Sequence, residues 1–127
     1  MSEPRKVNIG TSEYTEVLCL DEPGEGGACH KYEICRAGAD ADSRRAPDNV
    51  FGGIEFQQGP VGEHGVNGCH QEDLLAIVID RLQHFQRGPY SCRENALALT
   101  KLEEALHWLN HRTAERTSRG VEGTNTA

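Results

Sequence analysis

His107 and His111 lie four residues apart, the spacing at which two imidazoles on one helix face can share a metal ion. No third ligand stands at a matching interval, so a polar helix flank is the stronger reading. The five cysteines, at 19, 29, 35, 69 and 92, are odd in number and include no Cys-x-x-Cys pair. Cys29-His30 and Cys69-His70 set two metal-ligating types side by side, but adjacent ligands rarely close on one ion. These spacings support free thiols in a reducing compartment, with no metal and no cofactor. Catalysis needs a nucleophile beside a base, paired carboxylates or a metal cluster. The Gly-x-Ser-x-Gly, HExxH and Walker A patterns are missing, as is a Gly-x-Gly-x-x-Gly in a βαβ setting. The chain therefore reads as a binder and not as an enzyme.

The residues suited to binding are more suggestive. Arg112, Arg116 and Arg119 are spaced four and three apart, so they share one face of a helix. Guanidinium groups hold phosphate through paired hydrogen bonds. Phe85, Tyr90 and Trp108 offer rings that can stack on a base, and Asn95 can read a base edge or a ribose hydroxyl. Each has a plainer role open to it. Phe85 ends an apolar stripe and can be core, Asn95 can be solvated, and arginines favour any helix C-terminus through its dipole. The net charge of -7 and pI of about 5.3 argue against broad binding to nucleic acid, which needs a basic face. A small anionic ligand held by a few local arginines remains compatible with that charge.

The elements that must position these residues follow from periodicity. Leu74, Leu75, Val78, Ile79, Leu82 and Phe85 form one wide apolar stripe, starting near Cys69. Gly88-Pro89 stops that helix. Ser91 and Glu94 then have the spacing of a capping box. Leu99, Leu102, Leu106 and Leu109 make a heptad-like seam in the second helix. The first helix spans about 18 residues (~27 Å) and the second about 28 (~42 Å), so the second overhangs. The overhang carries the three arginines, and such a charged end is either solvated or in contact with a neighbouring subunit.

Upstream, alternating stretches predict short strands at 14–20, 31–36 and 50–57. The fold class expected is α+β: a small N-terminal antiparallel β-meander, 14–58, followed by a long antiparallel helical hairpin, 69–119. A Gly-rich loop, 59–68, joins them, residues 1–12 read as polar and mobile, and 120–127 is a tail without periodicity. A length of 127 residues suits one domain, 1–127. Hydrophobic content of 36% and a mean hydropathy of -0.62 leave a thin core, so self-association is expected. No run of 18 apolar residues exists and the N-terminus lacks the apolar stretch of a signal peptide, which predicts a cytosolic protein without a membrane span.

The hairpin also resembles a family. The run Gly65 to Leu82, the run Gly88-Pro-Tyr-Ser-Cys-Arg-Glu-Asn-Ala to Leu109, then Arg112 to Arg116 and Arg119 to Thr124, is similar to the phage anti-Thoeris sponge proteins of the first described type. These share a helical-hairpin domain with the anti-CBASS sponges. The resemblance implies a protein acting in the cytoplasm of an infected bacterial host. It would hold immune signalling nucleotides without cleaving them. The ligand implied is a cyclic ADP-ribose isomer made by a TIR-domain enzyme, in pockets between two subunits. Cyclic di- or trinucleotides are a further ligand class among relatives, some of which assemble as hexamers, that is, trimers of dimers. The resemblance gives Phe85 stacking on the base, Asn95 hydrogen bonding and Arg112 phosphate pairing; Tyr90, Arg116 and Arg119 are the further ligand-binding candidates that the residue types offer. A further arginine is expected from the strand region, where Arg36, Arg44 and Arg45 are the candidates. The alternatives are a protein inhibitor that binds an immune enzyme directly, and a cyclic nucleotide hydrolase.

Overall fold

The computed structural model describes residues 3–10, 13–38, 43 and 46–126. Arg44 and Arg45 lie outside the described residues. Four strands, β1 (Arg5–Lys6), β2 (Thr15–Cys19), β3 (Lys31–Arg36) and β4 (Val50–Glu55), form one antiparallel sheet in the order β1-β2-β3-β4. Among the described residues three α-helices follow: α1 (Val61–His64), α2 (Gln71–Gln86) and α3 (Arg93–Ser118). The α+β class, with its meander and its two long helices, is therefore as the sequence predicts. The chain divides into two compact units. One holds 1–59 and 66–69, and the other holds 60–65 and 70–127.

In the sheet unit, directly opposed residues share a face. Val17 and Cys19 oppose Ile34 and Tyr32, and Tyr32 opposes Ile54. Leu18 and Glu16 oppose Glu33 and Cys35 on the other side. Leu18 and Cys35 are fully buried on one face and Cys19 on the other, so this small sheet is covered on both sides. β1 corrects, at residues 5–6, the reading of 1–12 as polar and mobile. Arg5 and Lys6 pair with Cys19 and Leu18, and the Lys6 ammonium lies 3.6 Å from the Glu16 carboxylate.

The Gly-rich stretch is likewise more than a connector. Residues 66–69 run along the end of β4, where Cys69 N–H donates to the Glu55 carbonyl and Gln57 N–H donates to the Cys69 carbonyl, at 2.8 and 2.9 Å. Gly68 permits this approach, because a Cβ there would come within 2.5 Å of the Phe56 carbonyl carbon.

In the helical unit, Leu99, Leu102, Leu106 and Leu109 on α3 are half-buried, as are Leu74, Leu75, Leu82 and Phe85 on α2. Ile79, at 8% exposure, is the one buried apolar side chain of α2 and α3. Asp73 and Glu72 occupy the first turn of α2, and the Asp73 carboxylate accepts the His70 N–H at 2.9 Å. The start of α3 corrects the Ser91–Glu94 capping box. The boundary residue is Cys92, whose sulfur accepts the Asn95 N–H at 3.4 Å. Gln86 fixes it there, since its side-chain amide accepts the Cys92 N–H and donates to the Cys92 carbonyl, at 3.1 and 3.2 Å. Ser91 is thereby left one residue outside the helix.

The far end of α3 departs most from expectation. Gly120, with φ of 76°, reverses the chain, and Val121 N–H returns to the Arg116 carbonyl while Gly120 N–H returns to Thr117. This is the paired pattern of a Schellman stop. The tail then folds back instead of trailing. Gly123 accepts the Gly62 N–H at 2.9 Å, which ties the tail to α1. A Cβ on Gly62 would sit 2.7 Å from that carbonyl oxygen. So the end of α3, expected to be solvated or in contact with a neighbouring subunit, also carries its own tail, which is tied in turn to α1.

Candidate ligand-binding site at the hairpin turn

α2 ends on Phe85 and Gln86 because Arg87 and Gly88 return their N–H groups to the last-turn carbonyls and Pro89 cannot extend the ladder. This leaves Phe85 and Tyr90 on either side of one tight turn, with Asn95 in the first turn of the helix that follows it. The Phe85 and Tyr90 rings meet edge to face, with centroids 6.4 Å apart. Tyr90 is 73% exposed, so its ring is available to a ligand. The Arg81 guanidinium lies over the Phe85 ring, 4.8 Å from its centroid. Arg81 was not singled out from the sequence, although its four-residue spacing before Phe85 was visible there. Asn95 is half-buried in the first turn of α3, and its side-chain amide has no hydrogen-bond partner among the described residues. A ring flanked by a cation suits stacking by a planar base, and an unpartnered amide suits its polar edge.

The three arginines of α3 have different surroundings. Arg112 is exposed and has no ion-pair partner among the described residues. Arg116 is only 5% exposed. Its guanidinium donates to the carbonyls of Thr126, Val121 and Thr124, the last two at 3.0 and 3.1 Å. The Glu122 carboxylate lies 3.7 Å from its Nε. Arg119 pairs with Glu115 at 2.6 Å, one turn back on the helix. The shared face seen in the sequence therefore presents Arg112 to solvent, while Arg116 clasps the tail.

Trp108 is 59% exposed and stands against the His107 and His111 rings, which themselves stack with centroids 6.4 Å apart. In the sheet unit Arg36 spans the Phe51 ring at 5.4 Å and donates to the Asn49 side chain at 3.2 Å.

Along α3, Asn95 and Arg112 are seventeen positions apart, or about 25 Å at 1.5 Å per residue. No mononucleotide-sized ligand touches both within one chain.

Residues 48–114 match the family model described as Acb2/Tad1, hairpin domain. The chain is also similar to a protein named "Thoeris anti-defense 1" from Bacillus phage SBSphiJ7, with 56% identity over 92 residues. The match takes in 69% of this chain and 65% of that relative, so it spans a little under two thirds of the relative's length. The matched residues include the whole hairpin turn and Arg112.

Proposed function

Because the chain belongs to the Acb2/Tad1 hairpin-domain family, we propose that it is a phage anti-Thoeris protein that sequesters an immune signalling nucleotide without cleaving it. The ligand class is a cyclic ADP-ribose isomer, and the setting is the cytoplasm of the infected host. The observation that carries the reading is the division of the site into two halves. Phe85, Tyr90 and Asn95 gather at the turn, fit for a base. Arg112 stands exposed about 25 Å away along the helix, fit for phosphate. Two copies in antiparallel register bring the turn of one to the Arg112 of the other, and then one pocket holds base and pyrophosphate together.

The packing supports self-association. Ile77 and Val78 on α2, and Leu97 and Trp108 on α3, are large apolar side chains left exposed. A hairpin with one buried apolar residue gains by covering these against a second copy.

Sequestration acts by mass action. Sites must outnumber the signal, and Kd must lie well below the signalling concentration. A nanomolar Kd corresponds to about -12 kcal/mol, within reach of a ligand offering a base, two riboses and two phosphates.

The experiment is to mix the protein with cyclic ADP-ribose isomers, remove it by filtration, and assay the filtrate. The proposal expects loss of free ligand and its recovery intact after heating the retained complex. Recovery of a linear or hydrolysed product instead identifies a hydrolase. Capture of a TIR-domain enzyme in the absence of nucleotide, with no ligand retained, identifies a direct inhibitor.

A further inference from the structure

Away from the hairpin, the connection between β2 and β3 closes on itself around Asp21. Its carboxylate accepts the His30 N–H at 3.0 and 3.2 Å and the Lys31 N–H at 3.1 Å. Leu20 N–H donates to the Lys31 carbonyl at 2.8 Å, so the loop is pinned at its neck. Inside it, Gly24 N–H donates to the Ala28 carbonyl at 2.9 Å, and Gly26 and Gly27 take φ of 73° and 80°, a tight reversal that costs glycine little. The consequence is to bring Cys29, ten positions along the chain, back beside Cys19.

The Cys19 and Cys29 sulfurs and an Asp21 oxygen all lie within 4.8 Å of one another. Cys19 is buried, and Cys29 and Asp21 are half-buried. Tetrahedral zinc with Zn–S near 2.3 Å sets two sulfurs roughly 3.8 Å apart, so the three groups need to close by no more than about 1 Å. We propose that Cys19, Cys29 and Asp21 bind one zinc-like thiophilic divalent ion that staples the β2–β3 loop to the sheet.

Two further features fit that occupant. Arg5 faces Cys19 across the β1–β2 pair. Two thiolates, one carboxylate and a divalent ion sum to one negative charge, which the Arg5 guanidinium neutralises. His30, buried, has its Nδ1 3.9 Å from Asp21 Oδ2 and is the imidazole next to the cluster. The backbone N–H groups on Asp21 orient its carboxylate from behind, as groups outside a metal's ligands commonly do. On binding, each thiol loses its proton to solvent, and no redox change is involved.

The test uses the full chain, reduced and stripped of metal. Zinc chloride is titrated by calorimetry and cobalt(II) by visible absorption. The expected result is one equivalent per chain, with the intense tetrahedral cobalt bands that thiolate ligands give. Cys29→Ser should weaken zinc binding more than about 100-fold, while Cys69→Ser should leave it unchanged. Cys29 is half-buried, so its serine variant is expected to fold, and circular dichroism checks that it has. A chelator should lower the melting temperature of the zinc-loaded wild type and leave that of Cys29→Ser unmoved. No metal uptake by protein whose thiols are fully titratable overturns the proposal. Uptake that survives Cys29→Ser overturns it as well. Neither outcome bears on nucleotide retention by the hairpin.

Discussion

Arg116→Ala separates two roles for the same guanidinium. If Arg116 serves phosphate, its loss weakens ligand binding and spares the fold. If it serves the tail, the reverse holds. The structure gives it three carbonyl partners and a neighbouring carboxylate, all between Val121 and Thr126. Hydrogen bonds from a charged donor contribute roughly 1.5–3 kcal/mol each. Most of that is offset, because the freed carbonyls reach water and the released tail regains about 1 kcal/mol of backbone freedom per residue. The net loss expected is about 2 kcal/mol, which for a chain of this size lowers the melting temperature by roughly 6–12 °C.

Arg112→Ala is the matched control. An exposed arginine without an intrachain partner contributes little to stability. A lost charged phosphate contact of roughly 1.5–3 kcal/mol corresponds to a weakening of about 10- to 150-fold. The assays are differential scanning fluorimetry, and calorimetric titration with a cyclic ADP-ribose isomer well below the lower melting temperature. Arg116→Ala is expected to melt early and bind within about threefold of wild type. Unchanged melting together with binding as poor as that of Arg112→Ala would refute the clasp.

Further outcomes follow from the same geometry. Phe85→Ala should weaken ligand binding at least about tenfold, because stacking is worth roughly 1–3 kcal/mol per base. A collapse in melting temperature with affinity kept would make Phe85 a core residue. Gly68→Ala should destabilise the edge of the sheet unit by about 2 kcal/mol, since its Cβ meets Phe56 backbone that cannot give way. Hydrogen exchange at the Gln57 and Cys69 amides reads that change, and unaltered protection there would count against it. A pocket shared by two copies requires ligand to tighten subunit association by the factor that association tightens ligand. Sedimentation showing a dimer constant indifferent to saturating ligand would place the site within one chain.

The long elements were legible because their periods run unbroken. The stripe from Leu74 to Phe85 and the seam from Leu99 to Leu109 each repeat for several turns, and Pro89 has one reading between them. The strands at 15–19, 31–36 and 50–55 showed as alternation bounded by turn residues. What escaped was made by single side chains acting on distant backbone. Gln86 moved the start of α3 from Ser91 to Cys92 through two hydrogen bonds that no spacing rule encodes. Asp21 drew Cys29 to Cys19 across ten positions, where a search for pairs separated by two to four residues finds nothing. Two residues are too few for a periodic signal, so β1 was invisible.

The arginines of α3 show that one helix face can give three side chains different surroundings. The last turn of any helix leaves carbonyls without partners and carries the negative end of the dipole. Arg116 and Arg119 lie in that turn or at its cap, and their local surroundings hold both: the returning tail takes one, Glu115 the other. Arg112 sits nearly two turns earlier, beyond the reach of those groups and of the dipole's repulsion for phosphate. That position matters in a chain of net charge -7, whose overall field disfavours an anionic ligand. Screening confines that field to about 8 Å at physiological salt. On the proposed reading, affinity comes from groups in direct contact, and selectivity from requiring the aromatic turn and Arg112 together. On the proposed two-copy reading, a ligand that joins a base to a phosphate at the right span engages the turn of one copy and Arg112 of the other, and either group alone engages one half.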